Sequence, residues 1–211
     1  MIFLLIRYKM IIFGVLALLS AIGAIHGKEN VVACYYGTWA AYRPGLGNFA
    51  VDNVDPFLCT HLFYAFAGID TEGTIISLDP YLELPENRDN FRKFNGLKKK
   101  NPRLKTVLAV GGWSQGSSKF SVMAASPALR KNFIDSGLQM LRDYGFDGLS
   151  IDWLYPNGRD TVHHRADIDN FTQLLKEIKE EFDKHGLILT AAVASHEQGA
   201  SLSYDVPSIA K

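Results

Sequence analysis

The segment Tyr144-Gly145-Phe146-Asp147-Gly148-Leu149-Ser150-Ile151-Asp152-Trp153-Leu154-Tyr155-Pro156 sets two carboxylates inside a short apolar run. Residues two apart on a strand point the same way, so Ser150, Asp152 and Leu154 line one face. A carboxyl group on such a face serves as a general acid or base only where it reaches within about 3 Å of the reacting atom. Ser150 can hydrogen-bond Asp152 but cannot share charge with it, and the isobutyl group of Leu154 has no proton to give. Metal chemistry is not indicated, because the six histidines show no ligand spacing and His163-His164 are merely adjacent on a predicted loop. No Gly-x-Gly-x-x-Gly follows the first strand-like run, so no nucleotide cofactor is implied.

The elements that must position these residues follow a strand-then-helix rhythm. Apolar runs rich in β-branched and aromatic residues occur at Val31–Tyr36, His61–Phe66, Leu104–Val110, Gly148–Trp153 and Leu187–Ala194. Most lack the alternation of a half-exposed sheet, which predicts strands buried on both faces and therefore parallel. Ser126-Pro127 reads as a helix cap followed by proline at the first helical position. Leu129, Phe133, Leu138 and Leu141 then mark one face until Gly145 stops the helix. A second helix from about Asp167 to His185 carries Ile168, Phe171, Leu174, Leu175, Ile178 and Phe182 on one stripe and ends at Gly186. A third, near Asn90 to Lys100, buries Phe91, Phe94 and Leu97 and is interrupted by Gly96. Alternating β and α units with buried strands mean a doubly wound sheet or a (β/α)8 TIM barrel.

The rest of the chain sets the compartment and excludes some partners. Its 22 basic and 22 acidic side chains balance, so no long-range field recruits nucleic acid or an anionic membrane. The one basic run, Lys98-Lys99-Lys100, reads as the solvated end of a helix. Arg7 and Lys9 precede the apolar stretch Met10–Ile25, too short for the roughly 18 to 20 residues of a membrane span. Small residues and Gly27 then offer cleavage positions, so residues 1–27 read as a secretory signal peptide, with an uncleaved anchor as the alternative. In an oxidising compartment the only two cysteines, Cys34 and Cys59, read most economically as one disulfide, the alternative being two buried thiols. Asn170-Phe171-Thr172 is a glycosylation sequon that matters if Asn170 faces solvent.

The Tyr144–Pro156 segment resembles the signature of glycoside hydrolase family 18, the chitinases and chitinase-like lectins, in which Asp-Gly-x-Asp-x-Asp-x-Glu precedes Tyr-Pro. Cys34-Tyr35-Tyr36, Tyr42-Arg43-Pro44-Gly45, Leu58 to Leu62, Tyr64 to Gly68, Lys105 through Gly111-Gly112-Trp113, and Leu202 to Lys211 resemble it too, in order along the chain. The resemblance implies a TIM barrel over residues 28–211, here truncated after about five βα units. It implies substrate-assisted hydrolysis, in which a Glu at the strand end protonates the glycosidic oxygen while the substrate's acetamide attacks. This sequence departs from the pattern at two of four acidic positions: Ser150 replaces the middle Asp and Leu154 replaces the acid, while Asp147 and Asp152 remain. No intact catalytic set is therefore expected, and Asp160 beyond Pro156 is not placed by its spacing to substitute.

Binding is separable from turnover. Tyr35, Trp39 and Trp113 match family positions whose rings stack on N-acetylglucosamine, and Asp152 is expected to accept a hydrogen bond from an acetamide. Trp153 reads as packing and Asp147 as an anchor of its strand. The expected molecule is a secreted chitinase-like protein that binds chitin or chitooligosaccharide, as a lectin does, without a metal or cofactor and without a membrane attachment once the leader is cleaved. The competing expectations are a weak glycosidase and a growth-factor-like interaction protein whose groove is vestigial. With five strands where the family barrel has eight, the chain reads as a truncated chain or an incomplete or spliced product whose open sheet edges favour self-association.

Overall fold

A computed structural model describes residues 30–210, so the leader assigned to residues 1–27 lies outside the described residues. Five strands run parallel in the order of the chain: β1 (Ala33–Gly37), β2 (His61–Ile69), β4 (Lys105–Gly111), β5 (Gly148–Asp152) and β6 (Ile188–Ala191). Their apolar runs explain the arrangement. Every residue of β5 is buried, and so are Val107, Leu108, Ala109 and Val110 of β4, because side chains on both faces pack. Only β6, at the end of the strand order, is half-buried throughout. A two-residue strand, β3 (Ile75–Ile76), returns antiparallel on β2.

Helices cover the outer face. After α1 (Pro80–Glu83) and α2 (Asn90–Gly96) come α3 (Ser118–Ala125), α4 (Pro127–Tyr144) and α5 (Ala166–Asp183), then α6 (Glu197–Ser203) and α7 (Val206–Ile209). The predicted punctuation of α4 is present: the Ser126 hydroxyl accepts from the Leu129 N–H at 3.5 Å, Pro127 opens the helix and Gly145 closes it in the left-handed region. Phe171, Leu174, Ile178 and Phe182 of α5 are fully buried, as their spacing requires. The core joins both layers, and Trp153 is its largest fully buried side chain, stacked on Phe120 of α3 at 5.4 Å and edge-on to Phe171 of α5 at 5.6 Å. Trp153 thus packs under the helices.

Cys34 and Cys59 are bonded across 25 residues of sequence, with a Cα–Cα distance of 6.1 Å. On the chain-entropy model, closing such a loop contributes about 3 kcal/mol. It ties β1 to the segment leading into β2.

The basic run departs from the expected solvated helix end. Lys99 and Lys100 are exposed, but Lys98 is not a solvated helix end. Its ammonium donates to the Gly145 carbonyl at 2.6 Å and pairs with Asp147 at 2.8 Å, joining the turn after α2 to the start of β5. The partner lies 49 residues away, so no local pattern announces it.

Candidate functional site

The strand ends that gather the predicted residues are the C-terminal ends of β1, β2, β4 and β5, the face on which barrels of this class carry their sites. Asp152 is the last residue of β5, and its carbonyl accepts from the Gly112 N–H at 3.0 Å. This bond holds the end of β5 beside the turn of Trp113–Gln115, which presents Trp113 at 61% exposure. On the neighbouring side the Thr38–Tyr42 turn follows β1 and presents Trp39 at 53% exposure, next to Tyr35 at 50%. Three large aromatic rings open to solvent, one on β1 and two on the turns that follow β1 and β4, mark a candidate binding surface.

Beside Tyr35 lies a buried polar centre. The Ser150 hydroxyl donates to Asp152 Oδ1 at 2.8 Å, both side chains being buried on the face that the strand period predicts. Burial pushes the Asp152 carboxyl above the usual carboxylate range, and hydrogen bonds from Ser150 and Tyr35 hold it part of the way back. Burial likewise raises the Tyr35 phenol, which lies against Ser150 and Asp152. Tyr35, Ser150 and Asp152 thus form one cluster. Leu154, two residues beyond Asp152, is half-buried.

Phe66 joins the aromatic residues, and sequence reasoning did not single it out although it ends a run quoted for the second strand. Its ring stacks on Trp39 at 6.3 Å and meets Tyr35 at 6.4 Å. It also lies so close over Gly112 that a Cβ there would fall 2.8 Å from the ring, so only glycine lets the turn to Trp113 pass. The Ala65–Phe66 peptide is cis. Tyr35 stacks in turn on Phe63 at 4.8 Å.

The other acids of the segment stand elsewhere. Asp147 precedes β5 at its opposite end, five residues and roughly 16 Å from Asp152 at strand rise. Burial raises its carboxyl, but the Lys98 ammonium and the Thr106 N–H outweigh that and hold it below the usual range. It anchors the strand. Asp160 is committed to Ser117 N–H at 3.1 Å and to the Ser118 and Arg159 side chains. Asn170 sits half-buried in the first turns of α5, its amide donating to Asp167 at 3.4 Å. Among the described residues there is no group of three or more His, Cys, Asp or Glu disposed to hold a metal ion, and no helix long and apolar enough to cross a membrane.

A hollow of about 630 Å³ touches Tyr35 and Trp39 along β1 but includes neither Asp152 nor Trp113, so it is not the strand-end centre. The geometry can therefore do two things. It can stack flat, uncharged rings and hydrogen-bond an amide or hydroxyl at Asp152. At the Leu154 position it cannot deliver a proton.

Comparison with known proteins places this arrangement. The chain is 45% identical over 192 residues to Probable chitinase 2 of Drosophila melanogaster, covering 90% of this chain and 39% of that protein. The Group IV chitinase of Ostrinia furnacalis superimposes with a TM-score of 0.84 at 60% identity, over 86% of this chain and 48% of that one. Human YKL-39, described as a pseudo-chitinase with retained chitooligosaccharide binding properties, gives a TM-score of 0.75 at 35% identity, over 85% of this chain and 48% of that one. The chain thus spans half or less of the length of these relatives. The five parallel strands and their helices are those of the (β/α) barrel family to which these proteins belong. Residues 31–211 match the model of glycosyl hydrolases family 18, and the chain belongs to that family.

Proposed function

We propose that this chain is part of a secreted chitinase-like protein that binds chitin or chitooligosaccharides and does not hydrolyse them. One observation carries the reading: Tyr35 lies against a hydrogen-bonded Ser150–Asp152 pair, with exposed Trp39 and Trp113 on the turns that follow neighbouring strands, whereas position 154, two residues on, holds Leu. Recognition survives such a change because stacking and amide hydrogen bonds need no proton transfer. Hydrolysis does not, because general acid catalysis is worth about 10² to 10⁴ in rate. The description of human YKL-39 supports the reading, as a pseudo-chitinase that keeps chitooligosaccharide binding. The leader pattern and the Cys34–Cys59 disulfide support an extracellular setting.

Titration calorimetry with chitohexaose tests the binding half. Saturable heat is expected, and Trp113→Ala is expected to weaken it by about tenfold, the scale of one lost aromatic stack together with its buried area. A chain that stays folded by circular dichroism and yields no heat with chitohexaose sinks the proposal.

A further inference from the structure

Trp113 is not a free-standing ring. The Arg159 guanidinium lies 4.0 Å from the centre of the indole, well inside the range of about 6 Å over which a cation is attracted to an aromatic face. The same guanidinium donates through Nη1 to the backbone carbonyl of Trp113 at 2.6 Å and pairs through Nε with Asp160 Oδ1 at 3.2 Å. Asp160 is fixed in turn. Its second oxygen accepts from the Ser117 N–H at 3.1 Å, and its carbonyl accepts from the Ser118 hydroxyl at 2.8 Å. A Cβ at position 116 would fall 2.5 Å from that carboxylate, so the approach requires Gly116.

The loop bearing Arg159 is held against its own preferences. Tyr155, Asn157 and Asp160 all have positive φ, a region that non-glycine residues adopt at a cost. It is pinned from below as well: the Tyr155 N–H donates to the Tyr204 hydroxyl at 3.0 Å, and the Asn157 amide donates to the Leu202 carbonyl at 3.1 Å. Such a loop keeps its shape only because its surroundings over-determine it, and what it delivers is a guanidinium over an otherwise exposed indole.

We infer that Arg159 is a specificity-determining positioning residue: it locks the Trp113 indole and covers one of its faces, leaving a single-faced platform that takes neutral N-acetylated sugar and rejects ammonium-bearing, deacetylated sugar. The inference rests on the saccharide-binding reading above. Two physical steps lead to it. A ring gripped on one face and at its backbone loses less rotamer freedom when a sugar stacks on the other face. A cation already seated on the indole also removes the attraction that a second cation would find there, whereas C–H stacking by a neutral sugar is retained.

The experiment has one arm without sugar and one with it. Indole N–H relaxation by NMR on the chain is expected to show an ordered Trp113 ring that becomes mobile in Arg159→Gln and stays ordered in Arg159→Lys. An indole equally ordered in all three overturns the inference whatever the chain binds. Calorimetry at mildly acidic pH, where amines are charged, then compares chitohexaose with its fully deacetylated counterpart. The preference for the acetylated sugar is expected to fall by roughly threefold to tenfold in Arg159→Gln and to persist in Arg159→Lys. An unchanged preference in Arg159→Gln overturns the inference while leaving sugar binding intact. Absence of binding to both sugars by the unmodified, folded chain overturns the saccharide reading and the selectivity with it, while the ring-ordering arm still judges Arg159 as the lock.

Discussion

Leu154→Glu is expected to convert a chain with no chitohexaose hydrolysis above background into one whose rate rises by about 10² to 10⁴, the range that a general acid supplies. Position 154 lies two residues beyond the end of β5, where the strand period continued from Ser150 and Asp152 turns it to their face, so a carboxyl there is expected to enter the groove beside Asp152 rather than the helix layer that Trp153 occupies. A new carboxyl next to the buried Asp152 side chain, half-screened from water, is pushed upward by burial and by its neighbour, which favours the proton-bearing form that an acid needs. Of the other acids in or near the segment, Asp147 is held by Lys98 at the opposite strand end, Asp160 by Ser117, Ser118 and Arg159, and Asp152 accepts from Ser150. Leu154→Gln is the control, because it has the size and polarity of Glu without the proton, and it is expected to remain at background. Reducing-end release measured for the three chains decides the matter. Turnover by the unmodified chain equal to that of Leu154→Glu would show that position 154 is not where the proton is needed.

What the sequence disclosed and what it hid divide along the range of the interactions. The five parallel strands were legible because most are near-continuous apolar runs, and α4 and α5 because the cap of the one and the apolar stripes of both are local signals. β3 escaped because two isoleucines hold no period, and α3 because its eight residues end at the very Ser126 that caps the next helix. The site was legible as far as single strand ends: the inward pairing of Ser150 and Asp152 follows from a period of two. Its cross-connections were not. Lys98 finds Asp147 across 49 residues, Arg159 finds Trp113 across 46, and Phe66 reaches Tyr35, Trp39 and Gly112 only once three strands lie side by side. A charge run or a lone arginine carries no sign of the partner that folding will bring to it.

Between about pH 5 and pH 8 the chain is expected to lose about 3 kcal/mol of unfolding free energy, and Glu83→Gln is expected to remove most of that slope. Glu83 is fully buried. One of its oxygens accepts from the Ser77 hydroxyl and from the Asp79 N–H at 3.3 Å, while the other, like the nearby Tyr64 hydroxyl and Asn90 amide nitrogen, has no partner among the described residues. Burial pushes its carboxyl up to about 7 from the ordinary 4.5, and the repulsion of Asp79 adds to that rise, while the bonds from Ser77 and the Asp79 N–H only moderate it. The Tyr64 phenol beside it is itself raised by burial, so it relieves none of the charge. The folded state therefore holds the proton more tightly than the unfolded chain. That contribution is fully present below about pH 4.5 and disappears as pH rises toward 7, at about 1.4 kcal/mol per unit. Asp152, also raised, adds in the same sense, whereas Asp147 and Glu177 are lowered and act only at more acidic pH, where they lose their partners Lys98 and Arg130. The effect touches the binding surface, because Asp79 accepts from the Tyr42 hydroxyl at 2.6 Å and Tyr42 ends the turn that presents Trp39. Urea unfolding across the pH range provides the measurement: a slope that Glu83→Gln leaves intact would place the titrating group elsewhere, and an increase in stability toward pH 8 would reverse the sign argued for this buried carboxyl.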